Sequence, residues 1–363
     1  MGTKLVSYLI SKIRKIRVNK NKKREEQVLI NGIEDCYKKL TNRYELSFEQ
    51  EKEIKSYFKD LAGVEIPTNW HKYFYSRTGI YSKKYLPKTF SSSLISLANK
   101  REYRDAYADK NILDVILPNV PHPEILMKNM NGYYYVGNKA VTREEAIAHC
   151  SNLGNVIIKP SLAKKGIGVR VINIENGITN FDKMTVSQLF DKYEKNFCIQ
   201  KIVQQHEKMA ALNPTSVNTI RILTYRSGMD ILVLYTVIRI GRYGEVIDNE
   251  SAGGISAIIN KDGTLGKYAY GNPGDDKLEK TDSGIILEGY GVPSYKEAVE
   301  LVKRQHYYLP FFDIVGWDIA VGIDGTPIMI EWNVSPGLSQ SANGPAFGEY
   351  TERVISEILS KHK

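Results

Sequence analysis

The chain has 363 residues, of which 42% are hydrophobic, 25% charged and 10% aromatic; these are the proportions of an ordinary globular protein with a large core and two or three subdomains. Its three cysteines, Cys36, Cys150 and Cys198, are far apart, which argues against a disulfide framework or a zinc site and favours a reducing cytoplasm. No run is long and apolar enough to predict a transmembrane helix, and no signal peptide is recognisable.

The net charge of +9 is located at the beginning of the chain. Residues 1–24 contain nine bases and no acid: Lys4, Lys12, Arg14, Lys15, Arg17, Lys20, Lys22, Lys23 and Arg24. Because only these nine of the 50 bases and none of the 41 acids lie there, residues 25–363 carry equal numbers of each. The basic character therefore belongs to a tail and not to the body of the protein.

Leu5, Leu9, Ile13 and Ile16 recur in this tail at helical spacing, so the tail is predicted to be a basic amphipathic helix. Such a helix can lie on an anionic membrane surface. It can equally pack on the body of the protein or on a second subunit, and the sequence does not predict the oligomeric state. An arm that binds nucleic acid has no aromatic or motif support, so we expect no nucleic-acid partner.

Residues 25–105 are predicted to be mainly helical, with breaks near 63–67 and 85–87, and they carry no catalytic pattern. From about residue 106, short β-branched runs separated by turn residues predict a mixed α and β body with mostly antiparallel strands. The predicted strands are 133–136, 156–159, 169–174, 219–225, 231–240 and 254–260, and strands 219–225 and 231–240 are predicted to form a hairpin across 227–230. Helices are predicted at 142–150, where Thr142 and Glu145 form a capping box, at 294–304 and at about 349–361.

Two apolar runs joined at Asp324-Gly325 predict a β-hairpin near the C-terminus. A two-residue turn pairs position 320 with 329 and places Asp318 opposite Glu331, with Asn333 on the same face. The other face is expected in the core, with Val315, Trp317, Ile319, Val321, Ile328, Ile330 and Trp332. Opposed carboxylates repel, so a divalent cation with oxygen ligands, Mg²⁺, is favoured here. The alternative is a solvated face on which the carboxylates happen to pair.

The segment 156–169 combines a strand that ends at Lys159 with a basic loop that contains Gly166 and Gly168. A lysine and backbone N–H groups in such a loop can bind phosphates. Neither a P-loop nor a complete dinucleotide-binding fingerprint is present. The segment 198–203 can present an extended backbone to an adenine edge, a pattern that any amphipathic strand shares.

In this order, the Lys-Pro strand with its glycine loop, the segment 200–203 and the ending Glu331–Gly337 after Asp318 resemble the ATP-grasp superfamily. The ending matches the superfamily pattern E-x-N-x-x-P-G. More narrowly, the chain is similar to the branch associated with sugar transfer and surface-polysaccharide synthesis, in segments 85–87, 108–111, 217–221, 248–254 and 316–318. The resemblance covers about residues 85–363.

The resemblance implies an α+β, ATP-grasp fold in which two α+β subdomains enclose ATP, preceded by a mainly helical N-terminal region. The implied division is a basic tail at 1–24, a helical region at 25–105 and an ATP-grasp catalytic region at 106–363. Within the catalytic region, a lid subdomain is expected at about 150–205 and a metal-binding subdomain at about 206–363.

The resemblance also implies roles for individual residues. ATP is expected to contact Lys110, Lys159, Lys165, Gly166, Gly168, Gln200, Ile202 and Val203, and Mg²⁺ to be held by Asp318, Glu331 and Asn333. Substrate contacts are implied for Asn218, Arg221, Asn249, Gly253, Gly254 and Ser335, and catalysis for Lys159 and Arg221. The alternative for Arg221 is a buried strand residue paired with Glu250 or another acid. Many ATP-grasp ligases carry an arginine two residues before the first metal-binding aspartate, whereas here that position is Gly316.

The implied activity is an ATP- and Mg²⁺-dependent ligase reaction, in which an acyl phosphate is captured by an amine or a hydroxyl. The branch implies an acid, such as an amino acid, and a sugar or glycan precursor as substrates, in the cytoplasm or at the cytoplasmic face of the membrane. One alternative is an ATP-grasp kinase that phosphorylates a sugar-type hydroxyl. Another is a nucleotide-binding scaffold in glycan assembly, against which the complete metal-ligand set argues.

Overall fold

The computed structural model describes residues 23–163, 166–246, 248, 252–275 and 277–362. The amphipathic helix predicted for residues 1–24 therefore lies outside the described residues, except for its last two positions. Within the described ranges, no helix combines the length and the apolar character needed to cross a bilayer.

Helices precede and then flank two β-sheets. They are α1 (23–39), α2 (Phe48–Ala62), α3 (Asn69–Thr78), α4 (Lys88–Ala98), α5 (Arg101–Tyr107), α6 (Leu113–Ile116), α7 (Arg143–Cys150), α8 (Val186–Tyr193), α9 (Glu207–Leu212), α10 (Tyr295–His306), α11 (Gln340–Asn343) and α12 (Thr351–Ser360), with 3₁₀ turns at Lys110–Ile112 and Gly348–Tyr350. The capping box of Thr142 and Glu145 opens α7, as predicted. The mainly helical character predicted for 25–105 is confirmed by α1 to α5.

All strand pairings in the described part of the chain are antiparallel. The strands are β1 (Ile125–Met130), β2 (Tyr133–Val136), β3 (Lys139–Val141), β4 (Gly154–Pro160), β5 (Arg170–Glu175), β6 (Ile178–Thr179), β7 (Phe197–Lys201), β8 (Thr219–Ser227), β9 (Asp230–Ile240), β10 (Ile255–Ile259), β11 (Leu265–Tyr270), β12 (Ile314–Val321) and β13 (Pro327–Asn333). One sheet has the order β3-β2-β1-β7-β4-β5-β6, and the other β11-β10-β9-β8-β12-β13. The predicted α+β class is confirmed.

The seven-stranded sheet has one face in a core and one face toward a cleft. On the core face, Val156 and Ile158 pack with residues of α7 and α8, including Phe190. Ile157 and Lys159 alternate with these residues and point to the other side. The sheet spans residues 125–201, so it begins well before residue 150, where the lid subdomain was expected to start.

The six-stranded sheet is covered on both faces. On one face, Ile222 and Trp317 pack with residues of α10. On the other, Leu223 and Tyr225 pack with Phe58 of α2 and with residues of α12. Because both faces are covered, β12 is buried at all of its positions and β8 at all but one.

Two amide side chains tie the helical region to the second sheet. Asn99, directly after α4, is fully buried, and its Nδ2 donates to the carbonyls of Ile314 and Val334 at 2.7 Å each, while Oδ1 accepts from the Ile314 N–H at 3.0 Å. The Gln340 amide exchanges two hydrogen bonds with the backbone of Leu86, at 2.8 and 2.9 Å. Buried amides that use both donor and acceptor in this way fix the relative position of the two segments.

The hairpin predicted around Asp324-Gly325 is present, but its turn is longer than two residues. The Gly322 N–H donates to the Thr326 carbonyl at 2.8 Å. Position 320 therefore pairs with 328 and not with 329 as predicted. The Asp-Gly pair thus indicates the turn correctly but not its length.

A bulge at Ile330 restores the predicted register beyond this point. Ile319 pairs with Met329 while Asp318 pairs with Glu331, which leaves Ile330 as the extra residue. As a result, Met329 belongs to the core and Ile330 lines the cleft between the sheets. The prediction that Ile328 and Ile330 face the core is wrong, because the longer turn shifts this part of β13 by one residue.

Candidate active site

A row of polar side chains crosses three neighbouring strands of the second sheet. Arg221 on β8 lies directly opposite Asp318 on β12, and Asp318 lies opposite Glu331 on β13. Asn333 follows Glu331 by two positions, and its amide reaches both carboxylates. Directly opposed residues on neighbouring strands share a face, so the sheet brings these four side chains together.

Asp318 is buried and bound by two arginines. Arg221 Nε and Nη2 donate to Oδ1 and Oδ2 at 2.5 and 2.6 Å, and Arg239 Nη1 lies 3.3 Å from both oxygens. Burial alone would raise the pKa of Asp318, but the charges of Arg221 and Arg239 outweigh it and hold this pKa below its usual value. Of the two interpretations of Arg221, the geometry therefore supports the buried ion pair, with Asp318 as the acid; Glu250 lies outside the described residues.

The absence of a side chain at position 316 is explained by Arg221. A Cβ at Gly316 would lie 3.2 Å from Arg221 Nη1 and 2.9 Å from Pro336 Cβ. The guanidinium from β8 thus lies over Gly316 on β12. An arginine at position 316 itself is incompatible with this arrangement.

Glu331 lies on the open side of the row. Lys110 Nζ is 3.4 Å from Glu331 Oε2, and Asn333 Nδ2 donates to Glu331 Oε1 at 3.2 Å and to Asp318 Oδ2 at 3.4 Å. The repulsion between the two carboxylates, which led us to expect a cation, is therefore already offset by the surrounding bases. A metal at this position is favoured by the arrangement of oxygen ligands and not by charge repulsion.

The side chains of Asp318, Glu331 and Asn333 converge closely enough to share one divalent cation. A half-turn of the Asn333 amide presents its oxygen in place of its nitrogen, which gives three oxygen ligands of the kind that Mg²⁺ prefers. In the described ranges, no cluster of three histidine, cysteine, aspartate or glutamate side chains is arranged for a metal ion. The two carboxylates with one amide are therefore the ligand set that fits.

The two sheets enclose a cleft beside this row, with about 890 Å³ of space that is partly open to solvent. Seven of the residues predicted for ATP or metal line the cleft: Lys110, Lys159, Gly166, Gln200, Val203, Asp318 and Glu331. Ile157, Pro160, Val169 and Val217 supply apolar wall.

Two lysines line the cleft together with Asp318 and Glu331. Lys159, the next-to-last residue of β4, is buried, and Lys110 donates to the Ala163 carbonyl at 2.7 Å in addition to its contact with Glu331. Burial lowers the pKa of Lys159, and the charge of Lys110 adds to this effect. A polyanion between the two ammonium groups would favour the charged form of both.

The loop between β4 and β5 depends on its glycines. Gly166 and Gly168 have φ of +73° and +76°, and a Cβ at Gly168 would lie 2.8 Å from Pro160 Cγ. The Tyr193 hydroxyl donates to the Gly168 carbonyl at 2.7 Å, which holds the end of the loop on the sheet. Gly166 lines the cleft, whereas Gly168 shapes the loop behind it. Lys165, the predicted phosphate ligand, lies outside the described residues.

Asn218 is not among the residues that line the cleft, and its predicted substrate contact stays a prediction. It is fully buried, and its Nδ2 donates to the carbonyls of Met209 and Asn213 at 2.8 and 2.9 Å. Its Oδ1 accepts from the Ser216 hydroxyl and the Gly241 N–H. Because both ends of the amide are used inside the protein, Asn218 holds the start of β8 in place.

The other predicted residues that the structure describes lie outside the cleft. Ile202 does not line the cleft, and neither do Gly253 and Gly254, which lead into β10. Asn333 and Ser335 line a second cavity that adjoins the cleft at Glu331. Asn249 lies outside the described residues.

Two polar residues of the site were not predicted from the sequence. Arg239 follows Val237, the partner of Arg221, by two positions, so the predicted β8–β9 hairpin contained the signal that places it on the same face. Asp248 lines the cleft and accepts a hydrogen bond from the Thr219 hydroxyl at 2.5 Å. Burial raises the pKa of Asp248 to about 6 despite the charge of Arg239. It follows β9 in an irregular segment, where no periodicity marks it.

The profile of the sugar-transfer associated ATP-grasp family matches residues 89–355, well over half of the chain. The chain belongs to this family. The predicted ATP-grasp fold, the assignment as an ATP-grasp enzyme and the cofactors ATP and Mg²⁺ are confirmed by this membership. No curated protein gave a significant match.

Solved structures with a similar fold are distant in sequence. An L-amino acid ligase from Bacillus licheniformis is 13% identical, with 70% of this chain and 48% of that chain covered and a TM-score of 0.40. A D-alanine–D-alanine ligase from Bacillus anthracis is 15% identical, with 70% and 65% covered and a TM-score of 0.37. The ATP-grasp ligase PsnB is 14% identical, with 73% and 63% covered and a TM-score of 0.40. The chain thus spans about half to two thirds of the length of these proteins, and no activity is inferred from the likeness.

Proposed function

We propose that the protein is an ATP- and Mg²⁺-dependent ligase, which activates a carboxylate as an acyl phosphate and transfers the acyl group to an amine or a hydroxyl. The observation that carries this proposal is the arrangement across the cleft. Lys110 and Lys159 line the same cleft as Asp318 and Glu331, and Lys110 Nζ lies 3.4 Å from Glu331 Oε2, so cations for phosphates lie beside oxygen ligands for a metal. A nucleoside triphosphate with its Mg²⁺ needs both.

In this proposal the two lysines bind the phosphates of ATP, and the Gly166 loop lies over them. Gln200 and Val203 line the end of the cleft that takes the adenine, next to Ile157. The two carboxylates and the amide hold Mg²⁺, which when bound neutralises charge on the transferring phosphoryl group. Asp248 lines the cleft beside Thr219, and the two form a polar part of the cleft wall.

The reaction needs no nucleophile from the protein. No serine, cysteine or histidine is among the described residues that line the cleft. In the first step a substrate carboxylate oxygen bonds to the γ-phosphorus and the bond to ADP breaks. In the second step an amine nitrogen bonds to the acyl carbon, the bond to phosphate breaks and one proton is released. The described residues bind and orient the reactants, which is the principal demand of phosphoryl transfer.

Arg221 acts as a positioning residue in this scheme. Its Nε and Nη2 both donate to Asp318, and it is not among the residues that line the cleft. A bidentate guanidinium holds a carboxylate in one orientation. We therefore assign to Arg221 the orientation of Asp318 rather than contact with the transferring group.

The substrate class that we propose is an acid and a sugar or glycan precursor, with an amino acid as the simplest acid. The support is the description of the family as sugar-transfer associated, together with the similarity to the surface-polysaccharide branch. Such precursors are membrane-bound or nucleotide-linked, and the basic tail at 1–24 suits a location at the cytoplasmic face of the membrane. The corresponding localisation is the cytoplasm, with the enzyme at the cytoplasmic surface of the membrane.

The experiment incubates the purified protein with ATP, Mg²⁺, pooled amino acids and pooled amino and nucleotide sugars, and measures ADP and free phosphate separately. We expect substrate-dependent release of both in equal amounts. Glu331→Gln should abolish the release because it removes a proposed metal ligand, whereas Glu349→Gln, an exposed surface change, should leave it intact.

Two other outcomes assign the alternatives. ADP without free phosphate identifies a kinase, because the phosphoryl group then remains on the acceptor. ATP that stays bound and unchanged while the pools include a lipid-linked glycan identifies a nucleotide-binding scaffold. Either result contradicts the ligase.

A further inference from the structure

A second cavity adjoins the nucleotide cleft on the side of the N-terminal helices. It encloses about 910 Å³, part of it open to solvent, and shares Lys110, Ala163 and Glu331 with the cleft. The contact between Lys110 and Glu331 is therefore a common wall of the two spaces. A molecule in the second cavity would touch the cleft at the end where Lys110 lies beside Glu331.

Helix α5 supplies the cationic wall of this cavity, through Arg101 and Arg104. The Arg104 guanidinium is held by backbone carbonyls: Nη2 donates to Asn99 at 2.7 Å and to Ile95 at 3.3 Å, and Nε donates to Asn99 at 3.2 Å. Its orientation is thus fixed in advance, because the carbonyls at the end of α4 accept its donors. Arg101 is exposed to the cavity and makes no hydrogen bond with a described residue.

The two arginines lie close together, and neither has an ion-pair partner among the residues that the structure describes. None of the ion pairs between described residues includes Arg101 or Arg104. Burial lowers the pKa of Arg104, and the charge of Arg101 lowers it further, while Glu102 and Asp105 act against this from the same helix. With Lys110 the cavity wall carries three bases against two acids, Asp105 and Glu331. Like charges held together in this way are relieved by an anion.

We propose that this cavity binds the substrate through a second anionic group, a carboxylate or a phosphate that takes no part in the reaction and that pairs with Arg101 and Arg104. This inference rests on the proposed function, because it places the reacting end of the substrate at the wall shared with the cleft. The unreacted anion at the far end then fixes the direction of the substrate. Arginine suits this task, since its planar fork matches both anions.

The proposal also assigns a role to the helical region, which the sequence left without one. The helix α5 and the carbonyls that fix Arg104 precede both sheets. Substrate selection thus comes from the N-terminal helices, and nucleotide binding from the sheets. A neutral acid or a neutral sugar would leave the two guanidinium groups unpaired and would bind more weakly.

The test measures binding by calorimetry to the full chain loaded with Mg²⁺ and a non-hydrolysable ATP analogue, which occupies the lysines of the cleft. The probes are inorganic phosphate, glutarate and the uncharged glutaramide. We expect one of the two anions to bind and glutaramide not to bind. If phosphate binds more tightly, the substrate carries a phosphate group. If glutarate binds more tightly, the substrate is a dicarboxylic acid.

Arg101→Gln should weaken binding of the preferred anion about ten- to a hundredfold, the effect of losing hydrogen bonds to a charged group. Lys100→Gln is the matched control, because Lys100 is an exposed neighbour that does not line the cavity, and it should bind as the unaltered protein does. Three results would each overturn the proposal. Glutaramide could bind as tightly as the anions, neither anion could bind, or Arg101→Gln could leave the affinity for the anion unchanged. The anion titration requires no turnover, so the two hypotheses fail separately. A failed ligase assay together with a bound anion contradicts the proposed function and leaves this inference standing.

Discussion

The two carboxylates at the centre of the site have different surroundings although they lie directly opposite each other. Asp318 is buried and shared by two arginines, whereas Glu331 faces the cleft, with one lysine 3.4 Å away. A buried ion pair is costly to break because the remaining partner is left with an unpaired charge. The Lys110–Glu331 pair is partly exposed, with 16% and 27% of the two side chains accessible, and such a pair contributes less.

Asp318→Asn should therefore lower the free energy of unfolding by about 3 kcal/mol, since Arg221 and Arg239 lose the charge that they share. Glu331→Gln should lower it by less than about 1 kcal/mol. Urea denaturation of the protein without nucleotide measures both. Equal losses for the two variants would contradict the asymmetry, and Glu349→Gln controls for removal of an exposed carboxylate.

At the scale of elements, the sequence of the hairpin β12–β13 predicts the position of the turn correctly but its length wrongly. The Asp-Gly pair predicts a turn, but turn length depends on how Gly322 and Thr326 bond to each other, which composition does not determine. The bulge at Ile330 then compensates for the longer turn. The opposition of Asp318 and Glu331 was predictable, while the direction of Ile330 was not.

The strand β1 was not predicted from the sequence, and the reason is a different one. Its residues, Ile-Leu-Met-Lys-Asn-Met, neither alternate in polarity nor include several β-branched side chains. Nevertheless β1 pairs with both β2 and β7 in the interior of the seven-stranded sheet. Its partner Phe197–Lys201 is distant in the chain, so the pairing is decided by tertiary contacts that a local pattern does not contain. The hairpin β8–β9, by contrast, joins two long alternating runs and was predicted with its turn.

The glycine loop of the lid gives a prediction at this scale. Gly168→Ala combines a left-handed backbone with a Cβ 2.8 Å from Pro160 Cγ, so the loop must move. We expect the Kd for a non-hydrolysable ATP analogue to rise about tenfold. Fluorescence titration measures it.

Gly132→Ala is the matched control for the lid variant. Gly132 also has a positive φ, of +96°, but its Cβ would meet nothing within 4 Å, and it lies in the β1–β2 turn. This variant should bear a similar backbone strain and bind the analogue normally. An equal rise in Kd in both variants would show that general destabilisation, and not the path of the lid, causes the effect.

At the scale of the whole molecule, two buried histidines determine the response to acid. Burial lowers the pKa of His71 and of His306 to about 4, and His306 is bonded to Thr224 and to the Phe312 carbonyl at 2.8 and 2.9 Å. Each folded-state pKa lies below the value of about 6.5 in an unfolded chain. The stability that each neutral ring contributes is therefore complete above pH 6.5 and is lost as the pH falls toward 4.

We expect the free energy of unfolding to fall by about 3 kcal/mol for each of these histidines between pH 7 and pH 4. His306→Gln should flatten this dependence, whatever its effect at pH 7, because glutamine does not titrate. His149→Gln, which changes an exposed histidine, should keep the original slope. Urea denaturation at a series of pH values measures the slopes, and identical slopes in all three proteins would refute the assignment.

The part of the site that no sequence pattern indicated is the part built by distant helices. Arg101 and Arg104 lie in a region without a motif, and they reach the cavity only because α4 and α5 pack beside the end of β13. The convergence of Asp318, Glu331 and Asn333 was predictable because all three lie in one hairpin. Residues that meet through tertiary packing alone give no such local signal.

The buried amide of Asn99 connects the first and last residues of the catalytic hairpin, since it bonds to Ile314 where β12 begins and to Val334 just after β13 ends. Gln340 performs a similar task for Leu86, which precedes the family match at residue 89. The stretch recognisable by common descent is therefore smaller than the stretch that sustains the fold. A truncated chain that keeps only residues 89–355 would therefore lose the backbone partner of the Gln340 amide.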